Sequence, residues 1–207
     1  MRSTTTLLFA ASIAAALAHN PLSAQSFDIG TKAINLGIGV GGHHYGFARP
    51  ARGTYVSMPA FSASLDIGMW NLGPGVVGLG GFFAHKTIRY DYIDSGFGYT
   101  YNYNWRYSYT QLGARGSWHW NDWHGNDRLD LYAGVMLGYN VVSSKNKSTY
   151  TVNGVTSDYG GGWSSGTSGL IASPFAGCRY LFTEKFGVYG EIGYGIAYLN
   201  AGVTLVL

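Results

Sequence analysis

From about residue 33 onward the chain alternates with a period of two, hydrocarbon or aromatic side chains on one parity and glycine, small polar or ionisable residues on the other. Successive side chains of a strand point to opposite faces, so the pattern dictates β-structure with one apolar and one glycine-rich face. Eight runs carry it, near 33–41, 58–69, 76–87, 101–120, 129–142, 168–182, 186–195 and 197–207. In the first, Ile34, Leu36, Ile38 and Val40 oppose Asn35, Gly37, Gly39 and Gly41; in the last, Leu199, Ala201, Val203 and Leu205 oppose Asn200 and Thr204. The apolar set of the fourth run changes parity near Thr110, which predicts a β-bulge there.

Residues 1–24 read as a cleaved signal peptide: a basic start at Arg2, an uncharged apolar run from Leu7 to Ala18, and small residues at Ser23 and Ala24. That leaves residues 25–207 as one domain, with no later stretch of the roughly 20 apolar residues that a membrane-spanning helix needs. Charged residues are only 11% of the chain, and 17 tyrosines and 32 glycines stand beside them. A water-facing surface needs more charge than that, and the balance of +3 gives no basic patch for nucleic acid. Cys178 is the single cysteine, so an intramolecular disulfide is excluded.

The connections alternate in length. Those at 71–75, 121–128 and 183–185 are short, whereas 42–57, 88–100 and 143–167 are long and polar; a tight connection near Gly195 departs from the rule. Outer-membrane barrels have short periplasmic turns and long extracellular loops, which predicts both termini on the periplasmic side.

Asp66, Lys86, Arg115, Asp130, Arg179 and Glu191 share the glycine-rich parity. Eight strands enclose an interior just wide enough for side chains to fill, so three cations and three anions can pair there. Turned toward lipid, the basic ones would cost about 2–4 kcal/mol each at mid-membrane. Arg179 and Glu191 lie equally far from Lys185, which predicts a cross-strand ion pair, with Asp66 and Arg115 in the same layer, Asp130 lower and Lys86 higher. Trp70, Trp118, Trp120 and Phe186 fall at the periplasmic strand ends as an aromatic girdle.

On these residues, and on the closing stretch Phe186-Gly-Val-Tyr-Gly-Glu-Ile-Gly-Tyr-Gly-Ile-Ala-Tyr-Leu-Asn-Ala-Gly-Val-Thr-Leu-Val-Leu207, the chain resembles the small outer-membrane barrels of the OmpX and OmpA transmembrane-domain type. The resemblance implies an all-β, eight-stranded antiparallel up-and-down transmembrane β-barrel in a Gram-negative outer membrane, and no particular activity. The rival architecture is a soluble, ligand-holding barrel of the lipocalin sort, with the apolar face inside.

Gly37-Ile-Gly39-Val-Gly41-Gly42 has the spacing of a dinucleotide fingerprint, but no helical pattern follows, and a strand with inward glycines is expected instead. His43 and His44 are adjacent in a loop, point to opposite sides of an extended chain and lack a third ligand. His119 and His124 flank a tryptophan-rich turn and read as interfacial anchors. No catalytic triad stands out, and neither metal nor cofactor is expected. The series Tyr99, Tyr101, Tyr103, Trp105, Tyr107, Tyr109, alternating with Asn102, Asn104 and Arg106, reads as an outer girdle with a stiff loop, or as an extracellular binding surface for a glycan or protein. The expected function is thus a non-enzymatic barrel embedded in outer-membrane lipid, structural or accessory within a larger outer-membrane protein complex. The alternatives are an adhesin-like protein binding through 42–57, 88–109 and 143–167, and a lipid-modifying membrane enzyme.

Overall fold

The computed structural model describes residues 27–42, 53–159, 164–165 and 168–207; residues 1–24, expected to be a signal peptide, and the His43-His44 pair lie outside them. No helix occurs among the described residues. Eight strands make the barrel: β1 (Lys32–Val40), β2 (Ala60–Leu72), β3 (Gly75–Gly96), β4 (Tyr99–His119), β5 (Leu129–Asn146), β6 (Gly169–Leu181), β7 (Phe186–Gly193) and β8 (Leu199–Val206). Each pairs antiparallel with its chain neighbour, and β1 pairs with β8 from Ala33–Val206 to Val40–Leu199, which closes the ring and leaves no sheet edge.

Closure forces the two parities onto two environments. On β1, Ala33, Asn35, Gly37 and Gly39 are buried, while Leu36, Ile38 and Val40 are exposed. The exposed set continues around the ring through Leu79, Phe83, Leu112, Val135, Leu137, Val188, Ile192 and Val203 as a hydrocarbon belt. Asp66, Arg115, Asp130, Arg179 and Glu191 are buried inside. A soluble lipocalin-like barrel requires the reverse, so that architecture is excluded: the fold is an eight-stranded antiparallel transmembrane β-barrel.

Gly37 shows why glycine lines the interior: a β-carbon there would collide with the phenol oxygen of Tyr189 and the carbonyl of Ala201. The lumen is nearly filled, with a void of about 40 Å³ between the charged layer and the opposite mouth, room for about one water. At that mouth the β7–β8 connection folds inward. Ile196 and Ala197 are buried against Ala60, Ala84, Ile88, Tyr109 and Val142, an apolar plug at the end away from the short turns. Among these residues, between Ala84 and Ile88 and opposite Tyr109, the Lys86 ammonium donates to the Gly41 carbonyl at 2.6 Å, so Lys86 sits high in the lumen.

Three expectations about the strands need correction. The β3–β4 register runs unbroken from Val76–His119 to Gly96–Tyr99, so no bulge exists at Thr110. The one register shift in the β2–β3 ladder lies between Gly68 and Trp70, where the extra residue Met69 lets Trp70 oppose Val77 and face outward. Second, residues 88–100 are not a loop: β3 and β4 continue as a hairpin far beyond the belt and turn at Gly98, whose φ is +81°. Within 143–167, β5 extends to Asn146 and a second hairpin, Thr149–Val152 with Val155–Asp158, pairs with β4. Asn153 and Gly154 form its turn with positive φ at both positions, the geometry that matches strand twist in two-residue hairpins. With Thr54–Ser57 on β3, these segments build a sheet, here termed the blade, standing on one rim of the barrel.

The third correction is the Arg179–Glu191 pair. Leu181 opposes Gly187, so the β6–β7 turn is centred on Glu184 instead of Lys185. Moving the centre by one residue moves each partner by two, which preserves the face and changes the depth. Arg179 therefore faces Tyr189, and Glu191 faces Gly177.

Candidate functional site

Two constellations carry chemistry. The first is the polar layer in the lumen. Arg115 on β4 reaches Asp66 on β2 through Nε at 2.9 Å and Glu191 on β7 through Nη2 at 2.6 Å. Arg179 on β6 bonds Asp130 on β5 and lies 3.6 Å from Asp66. Asp130 joins the same network through Arg179, and it also accepts from Asn121 of the neighbouring short turn at 3.0 Å. His119, read from sequence as an interfacial anchor, is inside the barrel because it shares the parity of Arg115. Its Nδ1 donates to Asp130 at 2.8 Å, and Ser117 Oγ lies 2.9 Å from its Nε2.

Three aromatic residues that the sequence reading passed over complete the layer. Phe27 stacks on the His119 ring at 3.6 Å, Phe175 lies 4.1 Å from the Arg115 guanidinium, and Tyr132 lies 5.0 Å from that of Arg179. Two guanidinium groups thus meet three carboxylates and an imidazole inside a sleeve of rings. Guanidinium suits this place because its planar fork serves two carboxylates at once and carries little hydration to shed. The charged groups are each other's partners and tie β2, β4, β5, β6 and β7 together across the lumen; a polar cavity of about 280 Å³ opens on the short-turn side, lined by Phe27, Asn71, His119 and Asn121.

The second constellation is the blade. The sequence series Tyr99, Tyr101, Tyr103, Trp105, Tyr107 and Tyr109 has the parity of Arg115, and the unbroken register keeps it on the lumenal side; it is not an outer girdle. Tyr109 is buried under the apolar plug, and the rest rise above the mouth as a wall. Cross-strand pairing adds Tyr55, Tyr90 and Tyr92 to the same face, and the second hairpin adds Tyr150. Tyr101 lies 6.2 Å from Tyr150 and 5.4 Å from Tyr159, Tyr92 stacks on Tyr103 at 5.8 Å, and Trp105 stacks on Tyr107 at 6.2 Å. Partial desolvation, then neighbouring Tyr159 and Asp94, hold the Tyr103 phenol above its ordinary range, so it presents a neutral hydroxyl. An Asn-Gly between Thr151-Val152 and Val155-Thr156 was the sequence signal for the second hairpin.

At the short-turn end Trp70, Trp120 and Phe186 are exposed, and Trp118 stacks on Trp120 at 5.8 Å, where a girdle belongs. From Trp118 up to Ser108 is ten strand residues, roughly 25 Å of height for a strand tilted by about 40°. That matches the thickness of an outer-membrane hydrocarbon band, so with Trp118 at the lower margin the upper one falls near Ser108, below the blade.

No protein-family model matches the chain, and no curated protein matches it. Among solved structures it is similar to Ail, the attachment invasion locus protein of Yersinia pestis. The complex of Ail with the heparin analogue sucrose octasulfate aligns at 15% identity over 86% of this chain and 95% of that one, with a TM-score of 0.45. A second crystal structure of Ail aligns over the same shares at 15% identity, with a TM-score of 0.41. The chain's own geometry, a closed ring of eight strands with hydrocarbon outside and ion pairs inside, makes it a small outer-membrane-type β-barrel.

Proposed function

We propose that this protein is a non-enzymatic, adhesin-like binding protein of a Gram-negative outer membrane, with the blade outside the cell and both termini in the periplasm. The barrel is the anchor: ion pairs occupy the middle of its lumen and the Ile196 plug its blade-side mouth, which supports a binding role for the blade over a pore. The orientation is supported by the grouping of short turns at one end and extended strands at the other.

The observation that carries the reading is the tyrosine wall. A sheet face bearing Tyr92, Tyr101, Tyr103, Tyr150 and Tyr159 in mutual contact is rigid, amphipathic and cheap to order on binding, because each ring has only two side-chain torsions. Rings with hydroxyl tips suit the apolar faces and hydroxyl rims of sugars, so an extracellular glycan is the ligand class favoured here, and a glycosylated protein its carrier.

The test is a triple variant, Tyr101→Ser with Tyr103→Ser and Tyr159→Ser, displayed on cells and probed on a glycan array. Losing anchor residues worth about 2 kcal/mol or more should weaken retention by roughly 30-fold. The barrel band should keep its normal heat-dependent gel shift. Unchanged retention with an intact barrel would overturn the proposal, and a stoichiometric membrane-protein partner recovered on gentle detergent extraction would favour the accessory-subunit reading.

A further inference from the structure

The outward face of β3, β4 and β5 changes chemistry in rows, because these strands pair without a shift and each row takes one residue from each. Descending from the blade, Arg89, Arg106 and Lys145 stand directly opposite one another; below them come Thr87, Ser108 and Ser143, then His85, Thr110 and Val141, with His85 and Thr110 bonded to each other at 2.9 Å, and then Phe83, Leu112 and Tyr139. The three cations are exposed, and among the described residues none has an ion-pair partner. Like charges directly opposite across strands repel, so a row of three calls for an anion from outside the chain. The carboxylate of Asp91, on the same face one row higher, is engaged by the Asn104 amide.

A groove of about 420 Å³ opens at this row. Arg89 and Arg106 line it with Thr87 and Ser108 one row lower and Asp91 one row higher, Val56 and Met58 add an apolar wall, and Lys145 stands beside it, next to Arg106 on the neighbouring strand. Its height decides what fits. The hydroxyl row coincides with the upper margin of the hydrocarbon band, so the cations stand one step above it, at headgroup level.

We infer that this row is a binding site for a phosphate-bearing lipid of the blade-side leaflet. Guanidinium donors of Arg89 and Arg106 take the phosphate oxygens, Lys145 adds a point charge, and the Ser108 hydroxyl donates from below, the Thr87 hydroxyl being engaged with His85. The acyl chains descend over Phe83, Leu112 and Tyr139, and Asp91 disfavours binding at the upper edge, which directs the phosphate downward. The site uses the opposite face of the blade from the tyrosine wall; it rests on the transmembrane placement and is independent of the glycan reading.

The experiment uses the full mature chain folded in detergent micelles, titrated with diphosphorylated lipid A and with the same lipid stripped of phosphate, read by native mass spectrometry. The phosphorylated lipid should bind selectively. The double variant Arg89→Gln/Arg106→Gln should bind it roughly 25-fold more weakly and Lys145→Gln about fivefold, at the rate of one surface cation each. Arg106→Lys should fall between wild type and Arg106→Gln. Equal binding of both lipids, or wild-type affinity in the double variant, would overturn the inference. So would displacement by inorganic phosphate or by a soluble sulfated oligosaccharide at concentrations matching the lipid, since either would mark a site for soluble anions. These side chains lie outside the packed lumen, so the variants keep the barrel's gel shift. Failure of the wild-type chain to fold in micelles would instead sink the transmembrane placement itself.

Discussion

Arg115→Ala should destabilise the barrel by about 3–5 kcal/mol, the cost of leaving a buried charge without its partner. The side chain bridges β2 and β7 across the lumen, holding Asp66 at 2.9 Å and Glu191 at 2.6 Å. Without it Asp66 keeps Arg179 at 3.6 Å, whereas Glu191 loses its only ion-pair partner among the described residues. Arg115→Lys should recover part of the loss, since one ammonium cannot fork toward two carboxylates. Arg115→Met with Glu191→Gln should recover most of it, because replacing a buried pair costs far less than orphaning one member. The measurement is the urea midpoint for loss of the heat-dependent gel shift in lipid vesicles. A single variant as stable as wild type, with no gain in the double, would show that these groups are hydrated and not paired across a closed lumen.

That layer was legible in part. Face assignment follows from parity alone, which is why Asp66, Arg115, Asp130, Arg179 and Glu191 could be placed inside from the sequence. Partner assignment depends on where each turn is centred, and the β6–β7 turn closing on Glu184 instead of Lys185 was enough to exchange Arg179's partner from Glu191 to Asp130 and Asp66. Such an error is invisible to pattern reading because a two-residue slip leaves the alternation intact.

The upper half of β4 failed for a different reason. Apolar parity changes at Thr110, and a bulge is the usual cause; here the strand stays regular and its surroundings change. Below Ser108 the outer face meets acyl chains and carries Leu112 and Trp118. Above it the outer face meets headgroups and water, so it carries Arg106 and Asn104, and the rings move to the inner face. The inversion of chemistry on a continuous strand is itself a sequence-level marker of where the membrane ends.

Depth on the outer face supplies the second large effect. Leu137→Arg should cost about 2–4 kcal/mol, and Ser143→Arg on the same face of the same strand about 0–1 kcal/mol, when both are refolded into vesicles. Leu137 opposes Ala114 within the belt and is 60% exposed, so its side chain lies in acyl chains. Ser143 opposes Ser108, six residues up the strand and roughly 15 Å higher, where an arginine reaches the headgroups at once and joins Lys145 and Arg106. The two variants carry the same charge on the same strand, so propensity and lumenal packing largely cancel and the difference isolates the bilayer. Vesicles of shorter-chain lipid should narrow the gap by bringing headgroups closer to Leu137. A barrel whose outer face met water would tolerate both substitutions equally; stabilities within a few tenths of a kcal/mol of each other would therefore remove the membrane from the argument, and with it the headgroup row and the elevation of the blade above the lipid surface.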